Sequence, residues 1–183
     1  MWPQHPPNLT VRGNSGNGGN SGNGGNGTGP TDRDGQDEHA RLCYTWQMDV
    51  DRALDFVRSN HHAVIATRRA HGEIAQSPVL AVADQAGRVL ISTRETAMKV
   101  RHLRRDPRAW LCVLPDTFFG EWVHLTGIVQ IVSLPEAMDL LVTYYRLAVG
   151  EHEDWDQYRA AMAQEKRCVV VLTPERAGPT MSG

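Results

Sequence analysis

The sequence predicts a mainly β protein of the α+β class: a small, closed, antiparallel barrel with short flanking helices. Three observations carry this. Three apolar, partly β-branched runs between residues 62 and 93 are joined by tight turns, the pattern of an antiparallel meander. No helical stretch separates them, and parallel pairing would need such a crossover. Three more strand-like runs follow at 109–114, 122–132 and 167–174, and closing six short strands into a barrel leaves no sheet edge exposed.

Each element has a local reason. MDVDRALDFVRSNH is helical, with Asp49 as N-cap and Ala53, Leu54 and Val57 as its apolar stripe. HAVIATRR (62–69) is a strand and RAHGE (69–73) a turn. IAQSPVLAVA (74–83) is a second strand, in which Pro78 calls for an edge or a bulge. DQAG (84–87) turns into a third strand, RVLIST (88–93). Ser92-Thr93-Arg94-Glu95 matches a capping box, so a helix is expected from there until Pro107 ends it, with Ala97, Val100 and Leu103 facing inward. AWLCVL (109–114) is a strand, PDTFFGE (115–121) a loop, and WVHLTGIVQIV (122–132) a long strand with Gly127 at a bend or close approach. A second capping box, Ser133 to Glu136, opens a helix through about Ala148; WDQYRAAMAQE (155–165) is a short helix and RCVVVLTP (167–174) the last strand.

The chain divides into three parts. Residues 11–30, VRGNSGNGGNSGNGGNGTGP, contain the unit NSGNGG twice in tandem. Gly, Asn and Ser offer no apolar face to offset the entropy of ordering, so residues 1–46 are expected to be a disordered tail. Residues 47–176 form one domain and 177–183 a flexible end. Met48 stands where the periodic sequence begins and is a candidate start. MWPQHPPN has neither the basic nor the apolar region of a signal peptide, and no apolar run is long enough to span a membrane. Cys43, Cys112 and Cys168 are widely separated and read as reduced thiols, so a cytoplasmic location is expected.

No nucleophile, metal-ligand spacing or phosphate-loop motif stands out, and no catalytic or metal-binding residue is assigned. An enzyme built on this chain must take its chemistry from a cofactor. The conspicuous feature is TRETAMKVRHLRRDPR (93–108). It holds Arg94, Lys99, Arg101, Arg104, Arg105 and Arg108, six of the 19 basic residues of a chain with net charge −2. Three readings compete. A solvated helix face needs no ligand. A nucleic-acid surface is disfavoured by the small footprint, the negative net charge and the absence of interleaved aromatics. A site for an acidic small molecule is the third: Ser92, Thr93 and Thr96 at a strand end and helix N-terminus suit an anion, Lys99 lies one turn on, and Arg101, Arg104 and Arg105 extend the charge for a longer acidic tail.

Taken together, AVIATRR, QSPVLAV, DQAGRVLIST, MKVRHLRRDPRAWLCV, HLTGIVQI, YYRLAVGEHEDWDQYRAAM and RCVVVLTPER resemble the pyridoxamine-phosphate-oxidase-like flavin and deazaflavin proteins. The resemblance covers roughly residues 48–176 and is nearest the actinobacterial coenzyme F420-dependent branch. It implies a homodimeric, six-stranded split β-barrel with cofactors in grooves between subunits. It places the backbone of Ser77, Pro78 and Val79 beside the ring of F420 or, alternatively, FMN. Thr93, Thr96 and Lys99 would hold the phosphate, with Arg101 and Arg104 as further contributors, and Trp122 would reach the ring from the partner subunit. The implied activity is hydride transfer between reduced F420 and a small planar or conjugated substrate. The alternatives are an FMN-dependent oxidoreductase and a non-catalytic flavin, deazaflavin or tetrapyrrole binder. Neither nucleic acid nor membrane is an expected partner. Two positions depart from the family pattern: Ala97 stands where an Arg is common, and His102 where an Asn is common. The end, LTPERAGPTMSG, lacks the arginine motif of the pyridoxamine-phosphate oxidases proper, so the resemblance does not extend to vitamin B6 oxidation.

Overall fold

A computed structural model describes residues 48–117 and 120–178. The Asn/Gly-rich tail with Cys43, two residues of the 115–121 loop, and residues 179–183 lie outside the described residues.

Alternation of buried and exposed side chains makes the strands. In β1 (His62–Arg68) Ala63, Ile65 and Thr67 face inward, and in β5 (Arg108–Leu114) Ala109, Leu111 and Val113 do so. Both pair with antiparallel neighbours, β1 with β2 (Ile74–Leu80) and with β5, and β5 with β6 (Val123–Val132). β6 pairs with β7 (Arg167–Ala177), β7 with β4 (Val89–Arg94), and β4 with β3 (Val82–Ala83), giving the order β2-β1-β5-β6-β7-β4-β3.

The strands at the two ends of this sheet are separated in the chain by Ala81 alone. The sheet must therefore curl until its ends meet, which makes it a split barrel. This also explains why six predicted strands become seven. The run 74–83 divides at Ala81, whose N–H bonds to His61 O (2.9 Å) as the chain leaves β1 and goes on to pair with β4. Pro78 lies in β2, which has only β1 as a ladder partner, so its missing N–H leaves no gap in the sheet.

Among the described residues, four helices flank the sheet: α1 (Val50–Ser59), α2 (Met98–Arg105), α3 (Met138–Ala148) and α4 (Trp155–Gln164). α1 begins at Asp49, whose carboxylate accepts from Asp51 N–H, and it buries Ala53, Leu54 and Val57 against Ile65, Leu111, Leu125, Val170 and Leu172. A second core lies on the other side of β4 and β7. There α3 and α4 pack Leu141, Tyr144 and Tyr158 against Leu90, Val169 and Val171. β7 is thus covered on both faces, which is why its sequence, CVVVL, is continuously apolar rather than alternating. Gly127 sits at a register shift between β6 and β7. Met48 bridges to Ala177, so β7 continues three residues beyond the predicted strand end.

Both capping-box expectations are corrected. Ser92 and Thr93 stay in β4, paired with Val169 and Cys168, and α2 starts only at Met98 with no side-chain cap. Glu95 instead receives Arg104 and the Ser133 hydroxyl (3.1 Å). Ser133 is thereby engaged elsewhere, and α3 begins late, at Met138, with Ala137 ahead of it. Besides Asp49 on α1, α4 has a side-chain cap, where Asp154 Oδ1 accepts from Asp156 N–H (3.0 Å) and Gln157 N–H (2.9 Å). Asp154→Ala is expected to destabilise the protein by about 1 kcal/mol, read as a lower urea midpoint at unchanged m-value. A midpoint unchanged from wild type would mean that the cap contributes nothing.

Candidate anion-binding site

α2 lies across one end of the barrel, against β1 and β6. Val100 and Leu103 anchor it in the core, His102 is buried beside them, and the other side chains are partly or fully exposed. Between α2 and the hairpin of β1 and β2 is a cavity of about 620 Å³. Thr67, Arg69 and Ala70 come from the end of β1 and the turn after it; Ala75, Gln76 and Ser77 come from β2; Ala97 to Lys99, Arg101, His102 and Arg105 come from α2.

The wall holds four basic side chains and no carboxylate. Arg69 has a partner, Glu73, at 3.4 Å. Lys99, Arg101 and Arg105 have no carboxylate within 4.0 Å among the described residues; Arg105 instead donates to Arg68 O. Lys99 is half-buried, and burial holds its ammonium below the usual lysine range. At the same end, α2 has no side-chain cap, and the N–H groups of Met98 and Lys99 have no acceptor among the described residues. Unpaired positive charge, partly withdrawn from water beside open helix amides, is an electrostatic vacancy for an anion.

Of the expected site residues, Ser77, Lys99 and Arg101 share this cavity. The others lie outside its lining. Pro78 and Val79 continue β2; Thr93 is buried in β4; Thr96 is exposed in the turn before α2; and Trp122 is half-buried ahead of β6. Arg104 points to Glu95 and Ser133, with its guanidinium 3.0 Å from the Ser133 hydroxyl. Although burial opposes it, hydrogen bonds from Arg104, Cys168 and Ser133 hold the Glu95 carboxyl below its ordinary range. Thr67, Arg69 and His102 are lining residues that the sequence did not single out as contacts. The signal available was the basic pair after AVIAT and the unusual His102.

Other chemistry is quiet. Cys112 and Cys168 are free, and burial, followed by Glu95, pushes the Cys168 thiol up to about 12. No cluster of three or more His, Cys, Asp or Glu among the described residues is arranged to hold a metal. No helix among them is long and apolar enough to cross a membrane.

A split barrel with a basic cavity at the start of this helix defines a class, and comparison with known proteins agrees. The family model for pyridoxamine 5'-phosphate oxidase matches residues 50–180, and the chain belongs to that family. Among solved structures, it resembles the conserved hypothetical protein Rv2991 of Mycobacterium tuberculosis, with 24% identity, a TM-score of 0.61, and coverage of 75% of this chain and 86% of that one. It resembles an F420 reductase at 16% identity and a TM-score of 0.52, covering 68% and 94%. It also resembles the heme storage protein HutZ of Vibrio cholerae at 16% identity and a TM-score of 0.56, covering 74% and 98%. Likeness at these identities speaks for the fold, and one fold here serves both reductases and binding proteins.

Proposed function

We propose that the protein is an F420-dependent oxidoreductase acting on a small planar or conjugated organic substrate. The observation that carries this reading is the cavity wall of Arg69, Lys99, Arg101 and Arg105 with no acidic residue in it. Lys99 and the amides opening α2 suit a phosphate, while Arg101 and Arg105 extend the positive charge in the direction a poly-acidic tail requires. Ser77 of β2 lines the same space, and the backbone from it through Pro78 and Val79 would support the ring. The deazaflavin, when bound, supplies the hydride chemistry. The chain's own task is to orient the ring and exclude water.

The same reading makes the protein a cytoplasmic homodimer. The outward faces of β1 and β5 carry Val64 opposite Cys112 and Ala66 opposite Trp110, all partly exposed, and β6 adds Ile128 opposite Arg108. An apolar strip of this kind is suited to a second copy, from which Trp122 would approach the ring.

Fluorescence titration with F420 and separately with FMN, at low and moderate salt, tests the proposal. F420 is expected to bind at least ~10-fold more tightly than FMN, with affinity falling as salt rises, because several solvent-facing cations contribute. Preference for FMN would replace the cofactor. Tight binding without turnover of any electron acceptor would support a carrier instead of an enzyme.

A further inference from the structure

His102 is among the few polar side chains buried in this protein, and it lines the cavity. Its Nδ1 lies 3.0 Å from Thr67 Oγ1, itself buried on β1. Its Nε2 has no hydrogen-bond partner among the described residues, yet no buried side-chain nitrogen among them lacks a partner. Nε2 is therefore not sealed off, and the open space beside His102 is the cavity.

Thr67 has a single hydroxyl proton and two polar atoms in reach, Nδ1 at 3.0 Å and Ala75 O at 3.4 Å. The Nδ1–H tautomer satisfies both contacts, Nδ1–H donating to the hydroxyl and the hydroxyl to Ala75 O, and it leaves Nε2 of the neutral ring an acceptor. In the imidazolium form these two bonds are kept, and the nitrogen facing the cavity becomes a donor.

We propose that His102 is a ligand-contacting residue: Thr67 holds Nδ1, and Nε2–H donates to the anion in the cavity, drawing a proton onto the ring. This rests on the anionic-ligand reading above. The surrounding charges agree with it. Lys99, Arg101 and Arg105 on α2 and Arg69 after β1 are positive, while Gln76 and Ser77 of β2 are neutral. Two carboxylates on the flanking segments are engaged, Glu73 with Arg69 at 3.4 Å and Asp106 with Arg68 at 3.3 Å. Burial, then Arg105, Arg69 and Arg101, hold the imidazole below its usual range, so the free protein keeps it neutral near pH 7. Between that lowered value and the ordinary value of ~6.5, the unfolded chain binds more protons, so the free protein loses stability as pH falls through this window. An anion at Nε2 reverses the charge effect. Ligand affinity then rises as pH falls, tenfold for each unit by which the ring's pKa is raised.

The experiment is a nitrogen-15 titration of the histidine rings in the full chain from pH 5 to 8.5, alone, with F420, and with inorganic pyrophosphate. His102 is assigned by comparison with His102→Asn, or by its contact with Thr67 if that variant does not fold. The free neutral ring is expected as the Nδ1–H tautomer, and Thr67→Val should mix the tautomers. With F420 the ring pKa should rise by about one unit, and wild type should gain affinity relative to His102→Asn as pH falls from 8, approaching ~10-fold only below the pKa of the free ring. The variant comparison cancels the cofactor's own titration. F420 binding that leaves His102 unmoved overturns the proposal while the functional reading stands. No F420 binding but a pKa raised by pyrophosphate upholds the role of His102 and removes F420. A ring unmoved by either ligand overturns it.

Discussion

Gly127→Ala is expected to destabilise the domain by about 3 kcal/mol or more, enough to leave a marginal protein largely unfolded at 37 °C. A Cβ at this position would stand 2.0 Å from Thr173 O and 2.8 Å from the Thr173 carbonyl carbon. Both are backbone atoms of β7 and cannot swing aside as a side chain can. Relief would require β6 and β7 to separate at the register shift they share, breaking the ladder between Gly127–Val132 and Val169–Pro174. Gly72→Ala is the control. Gly72 has φ +88° in the turn after β1, but a Cβ there meets nothing within 4 Å. Its cost is only that of left-handed backbone, about 1 to 2 kcal/mol. Thermal and urea unfolding of the two variants should therefore differ clearly, and equal losses would show that the close approach of β6 to β7 is not what requires glycine.

Lys99→Ala is expected to weaken F420 binding by roughly 10- to 100-fold, the range of a charge-assisted hydrogen bond lost from a half-buried site. It should do so without loss of stability. In the free protein the Lys99 ammonium is partly withdrawn from water with no carboxylate beside it, and burial lowers its pKa. A lysine kept for structural reasons would lose stability on truncation; one kept for a ligand need not. Arg101→Ala should have a smaller effect, about 3- to 10-fold and strongly salt-dependent, because Arg101 is exposed. Lys99→Ala binding F420 as wild type does would remove the phosphate assignment.

The sequence made much of the barrel legible because its signals are local. Strand alternation, Gly-containing turns and the Asp49 cap each depend on residues within a few positions. The misreadings fell where a distant partner decided. Ser92-x-x-Glu95 is a valid capping box in isolation, but Val169 and Cys168 draw Ser92 and Thr93 into the sheet, and Arg104 takes Glu95. The break at Ala81 was invisible because the run IAQSPVLAVA is uniformly strand-like; only the closure of the barrel demands that its two halves pair with different neighbours. At the site, the charge of Lys99, Arg101 and Arg105 could be read from composition. The place of His102 could not, since its burial depends on Thr67, which lies 35 positions earlier in the chain.

Every residue that lines the cavity falls between Thr67 and Arg105. Both walls and the floor are thus carried by one contiguous segment, although the barrel that supports it draws on strands as late as β7. The cavity behaves as an inheritable cassette. A single recombination tract exchanged between related genes would replace every lining residue at once, carrying β3 and β4 with their core residues Val82 and Leu90 along, and leave β5, β6, β7, α3 and α4 unchanged. Ligand preference in such a chain can diversify in one step, faster than the scaffold beneath it.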